Sequence, residues 1–279
     1  MKIKSYLLTI LFITVFLTLL SHNLFATSLL GIFPKGLKPN FPVFILFLLA
    51  GFIAAISVHE SGHLFAGIAQ GFRFQLFIVF LLGIKRTEKG GLHFFLNKNV
   101  GYMGGIASTT PTIKAPGNRK KFAIAVLAGP IVSLLFAVCC FLLLIFTKNM
   151  LWSFWLIAGT ISFGLFLVTT IPAKSGIFFT DRARFQRLIS KNKEGECEEA
   201  LLEIITQSTK DGSYKNISLK DAQLLQTDNE AFVQFWGYYY EYEYFKDNED
   251  SNQVEKAKEK LFNLKNTISA PIWKALKLE

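Results

Sequence analysis

Through the first two thirds of the chain polar residues are few, and the apolar stretches between them are long. Residues 6–20, 41–70, 122–147 and 151–171 are nearly uninterrupted runs of aliphatic and aromatic side chains. The last three are close to or above the ~20 residues that a helix needs to cross ~30 Å of hydrocarbon. They are apolar on every side rather than along one stripe, which predicts membrane-crossing helices. The first run is short for a span and follows Lys2 and Lys4. It reads as a signal-like helix, and because Leu24 is not the small residue a cleavage site prefers, as an uncleaved anchor.

Between the second and third runs the pattern shortens. FQLFIVFLL, LHFFL and VGYMGGIAST, within 74–110, are β-prone and are separated by turn signals at Lys89-Gly90-Gly91 and Asn97-Lys98-Asn99. An open sheet edge cannot face lipid, so these strands must lie at the interface, pack on the helices or pair with an added strand. From about residue 185 charges return. EEALLEIITQ, AFVQFWGYYYEYEYF and VEKAKEKLFNLKNTI carry apolar residues at helical spacing. Phe232, Phe235, Trp236, Tyr238, Tyr239 and Tyr240 are expected to form the core of two or three helix pairs.

The expected fold is therefore an α-helical polytopic membrane protein of about four spans with a β-prone interfacial region, plus a small all-α C-terminal domain. Residues 1–40 would be the anchor and an external loop, 41–187 the membrane core, and 188–279 the soluble domain.

Composition sharpens this division. Apolar side chains make up 51% of the 279 residues, including 29 phenylalanines, and mean hydropathy is +0.37, too high for a soluble globule. The first 190 residues hold 18 Lys and Arg against 3 acids, whereas 191–279 hold 12 against 17. The positive charge sits in connections beside apolar runs, so it reads as a topology determinant and not as a nucleic-acid footprint. Nine basic residues in 73–121 place that connection in the cytoplasm, and the C-terminal domain with it. Cys139, Cys140 and Cys197 have neither disulfide nor metal-ligand spacing and read as packing residues.

Ionisable groups inside a span are costly and point to function. His59-Glu60-Ser61-Gly62-His63 puts three of them in five residues near the end of the second run. On a helix His59 and His63 project one turn apart from the same face, where both can reach one metal ion, and Glu60 beside them can accept a proton from water. Zinc in a catalytic site takes a third protein ligand. Besides Glu60, the first 190 residues contain only Glu88 and Asp181 as acids. Asp181 is preferred because Pro172 and Gly176 let the chain bend back toward the bundle after the fourth span; Glu88 and His93 remain alternatives. His22 would lie across the membrane. Gly129-Pro130 in the third span reads as a close-approach surface for the histidine helix, with Ser133 one turn on offering a hydroxyl to substrate or water.

These residues resemble the site-2 protease family of intramembrane zinc metalloproteases. The resemblance rests on HESGH at 59–63, GPIVS at 129–133 and IPAKSGIFFTD ending at Asp181, and it covers about 42–187 with the tail outside. Two positions depart from the family pattern. Ser133 stands where asparagine is usual, and Arg-Ala-Arg follows Asp181 in place of the common glycine. The resemblance implies a Zn²⁺ cofactor on His59, His63 and Asp181, and Glu60 as general base. It also implies hydrolysis of a peptide bond in a transmembrane or membrane-associated substrate, at a cell membrane. An inactive scaffold of the same fold, a metal or proton transporter and a zinc hydrolase of a non-peptide membrane substrate are the other readings, and the tail is expected to meet a cytoplasmic partner.

Overall fold

Three long helices, α1 (Phe41–Ala69), α2 (Asn118–Phe146) and α3 (Leu151–Thr170), form the apolar part of the protein. The computed structural model describes residues 39–279 except 88, 176–177, 266–267, 269–272, 274–275 and 277–279. The apolar run at 6–20, His22 and Glu88 therefore lie outside the described residues. All three helices are long and apolar enough to cross a membrane, and they coincide with three of the four expected spans.

Local chemistry sets where each helix begins and ends. The Asn40 side chain accepts from the Val43 N–H at 3.1 Å, and Pro42 occupies the first turn of α1. Gly71, at φ 83°, turns the chain out of that helix. Helix α2 begins at Asn118, earlier than its apolar run, so Arg119, Lys120 and Lys121 form its first turn and not part of a loop. Cations there oppose the helix dipole. Arg119 finds other partners, donating to the Ser190 carbonyl at 3.0 Å and lying 3.7 Å from Glu199. Hydroxyls within the spans turn back onto carbonyls four residues earlier, as in Ser57 to Ile53 and Thr160 to Leu156. Phe44, Phe47 and Ala55 of α1 pack on Ile157 and Ile161 of α3, while Leu46, Leu135 and Leu142 stay exposed on outward faces suited to lipid.

An antiparallel sheet fills the connection between α1 and α2. Its strands are β1 (Arg73–Val79), β2 (Leu82–Arg86), β3 (Leu92–Leu96) and β4 (Ile106–Thr110), in the order β3-β2-β1-β4. The turn expected at Lys89-Gly90-Gly91 forms, with Gly90 at φ 85° and its N–H donating to the Thr87 carbonyl at 2.9 Å. The asparagines at 97 and 99 do not make a hairpin. Asn97 donates to the Phe80 carbonyl at 2.9 Å and accepts from the Asn99 N–H at 3.0 Å, which pins the chain as it leaves β3. VGYMGGIAST is not one strand either: Val100–Tyr102 is a 3-10 turn, and pairing with β1 starts at Ile106. Strand β4 is thus an edge of the sheet, and it lies beside α1.

After α3 a two-residue hairpin, β5 (Lys174–Ser175) and β6 (Phe178–Phe179), leads into α4 (Asp181–Ile189). The tail continues as α5 (Lys193–Asp211), α6 (Leu219–Gln226), α7 (Ala231–Asp247) and α8 (Ser251–Asn263). Its core is aromatic: Phe235, Tyr239 and Tyr240 are buried with Ile204, Leu225, Leu261 and Trp273, and Phe232, Trp236 and Tyr238 pack against them. Helix α4 runs across position 188, and Ala123 of α2, Leu188 of α4 and Leu202 of α5 share one apolar cluster.

Candidate metal centre

His59, Glu60 and His63 lie in the C-terminal half of α1, with His59 and Glu60 buried. The helical spacing acts as expected. The two rings meet edge to face with centroids 4.8 Å apart, and their Nε2 atoms are 3.2 Å from each other. Asp181 is the first residue of α4. Thr180 precedes it as the cap, donating to the Ile171 carbonyl at 2.9 Å and accepting from the Ala183 N–H at 3.5 Å. This sets the carboxylate at a helix N-terminus, where the dipole favours negative charge. Its Oδ2 lies 3.3 Å from His59 Nε2 and 3.5 Å from His63 Nε2.

The remaining ring nitrogens have partners of their own. His63 Nδ1 is 2.9 Å from the Ala125 carbonyl, which only accepts, so the ring carries its proton there and presents the Nε2 lone pair inward. His59 Nδ1 is 2.8 Å from Ser133 Oγ, and the Ser133 carbonyl accepts from Ser162 Oγ at 2.8 Å. Outer partners of this kind fix the orientation of metal-ligating histidines. Ser133, expected to face substrate or water, is fully buried against His59.

Gly129 and Pro130 form the expected close-approach surface. A Cβ on Gly62 would come 2.8 Å from the Ala128 carbonyl, and one on Gly129 would overlap the His63 ring. Pro130 removes the N–H that would meet the Val126 carbonyl and loosens the helical ladder next to Ala125.

The three inward atoms fit a metal. Asp181 Oδ2 is buried and has no hydrogen-bond partner, a costly state unless something else engages it. The separations of 3.2, 3.3 and 3.5 Å match the roughly 3.3 Å edge of a tetrahedral zinc site with bonds of ~2.0–2.1 Å. These three residues form the candidate metal-binding group among the described residues. Burial works against the Asp181 carboxylate, but the facing His63 and His59 rings, when protonated, more than offset it and hold the carboxyl well below the usual range. His93 is on β3, exposed and stacked on Phe95 with ring centroids 6.4 Å apart, away from this group.

Glu60 stays outside the triad and beside it. The β4 backbone at Ala107 lies beside its carboxylate. Gly105, at φ 96°, crosses directly over it, and a Cβ there would come 2.6 Å from Glu60 Oε1. Neither contact was foreseen in the sequence, nor were the partners Ala125 and Ser162. The paired glycines at 104–105 were the one signal of a close backbone approach.

Apolar helices enclosing two histidines and an aspartate define a membrane protein with a candidate metal centre. A family model described as peptidase family M50, the site-2 protease family, matches residues 47–277, and the chain belongs to that family. Members are typically zinc metalloproteases. The match extends through the helical tail, which the motif resemblance left out. No curated protein and no solved structure matches the chain.

Proposed function

We propose that the protein is a zinc-dependent intramembrane endopeptidase acting on a transmembrane or membrane-associated peptide. The observation that carries this reading is the orphaned Asp181 Oδ2 facing both imidazole Nε2 atoms, with Glu60 adjacent. His59, His63 and Asp181 would hold the ion. When bound, zinc supplies Lewis acidity, which polarises the scissile carbonyl and lets water act as nucleophile near neutral pH. Glu60 takes the proton from the attacking water and returns it to the leaving amine nitrogen.

A substrate helix hides its carbonyls in its own hydrogen bonds and must unwind to be cut. Strand β4 offers an edge beside Glu60 on which an unwound segment can add as a further strand. The nine basic residues between Arg73 and Lys121 support a cytoplasmic location for that connection, the metal centre and the tail, whose outer surface is then available to a cytoplasmic partner.

The test is Glu60→Gln in the full-length protein. The amide lacks the basicity to accept the proton, so cleavage of a co-expressed membrane peptide is expected to be abolished while zinc content stays at the parental level. Parental cleavage by this variant would refute the mechanism, and loss of zinc would make Glu60 a ligand.

A further inference from the structure

Helix α4 cannot fix the position of Asp181 by itself. Its nine residues, DRARFQRLI, fall well short of the roughly 12–15 at which an isolated helix becomes even marginal in water. Apolar packing of Leu188 against Ala123 of α2 and ion pairs to the tail hold it together. Arg187, buried in the last turn, donates from Nε to Glu198 Oε1 at 2.7 Å and from Nη2 to Asp228 Oδ2 at 2.6 Å. Its guanidinium also lies over the Phe179 ring, 4.8 Å from the centroid. Arg184 Nε is 2.8 Å from the other oxygen of Glu198. Glu198 and Asp228 are 1% and 2% exposed, so both carboxylates depend on these arginines. On the other side of Asp181, Lys174 pairs with Glu230. The segment that carries Asp181 is gripped at both ends, by Glu198 of α5 and by the α6–α7 connection at Asp228 and Glu230.

We propose that Arg184, Arg187, Glu198 and Asp228 are positioning residues of the metal centre: the tail presses Asp181 toward His59 and His63, and metal affinity is set in part from the tail. This rests on the metal-centre reading above. Buried ion clusters contribute geometry more than net stability, and placing a ligand is a use that suits them. The coupling must be reciprocal, so zinc must tighten the tail against α4 by as much as the tail tightens zinc.

Hydrogen exchange on the full-length protein in detergent, metal-free and with added zinc, tests this directly. Zinc is expected to slow exchange around Glu198 and across 228–230 as well as in the His59–His63 turn, and the effect at the tail is expected to vanish in His63→Ala. Zinc titration adds a second reading. Arg187→Met and Asp228→Asn are expected to weaken zinc binding by about tenfold or more. Arg187→Lys should fall between them and the parent, because one ammonium cannot bridge both carboxylates as the planar fork does. Should Arg187→Met fail to fold, exchange on the parent chain still decides. Protection confined to α1 and the first turn of α4, or parental affinity in a folded Arg187→Met, would overturn the proposal. A parent chain that binds no zinc would instead overturn the metal-centre reading, and this inference would fall with it.

Discussion

Two histidines can share one ion only if each turns the right nitrogen toward it, and here that choice is made by atoms outside the pair. The Ala125 carbonyl decides it for His63 and the Ser133 hydroxyl for His59. Ser133→Ala is therefore expected to leave the fold intact and weaken zinc binding by about tenfold, the cost typical of losing a partner behind a ligand. Unchanged affinity in a zinc titration would mean that packing alone orients His59. The histidine pair was legible in the sequence because its partners are one helical turn apart. Asp181 was legible because acids are so scarce in the first 190 residues. Ser133 was singled out but for substrate or water, and neither its role behind His59 nor Ala125 was legible, since they lie 74 and 62 residues from the rings they orient and a backbone carbonyl carries no residue signature.

Among the elements, the long helices could be read from their apolar runs, and the sheet from short β-prone runs punctuated by glycine and asparagine. The start of α2 could not, because its first turn is built of cations whose partners, Ser190 and Glu199, belong to the tail. Strand order was equally hidden. Nothing local says that β4 returns past β1 to the edge nearest α1, yet this brings the Ala107 backbone beside Glu60. Ala107→Pro removes the backbone N–H and blocks part of the edge. Peptide cleavage is expected to drop by at least about tenfold while zinc is retained. Parental cleavage would show that neither the edge nor this N–H is used.

At the scale of the whole molecule, the site is assembled from parts far apart in the chain: α1 supplies two ligands and the base, α2 and α3 back the rings, and the first residue of α4 supplies the third ligand. Charge composition separated an apolar core from a polar tail, and it concealed how tightly Arg187, Glu198 and Asp228 join them, because buried pairs leave no trace in a charge count. The most direct measurement is zinc per chain in purified full-length protein beside Asp181→Ala, with helical content checked in both. About one zinc per chain is expected in the parent and most of it lost in the variant, since two imidazoles alone leave too few protein ligands to hold the ion. Full zinc retention by a folded Asp181→Ala would contradict the assignment, because the third ligand would then have to lie elsewhere.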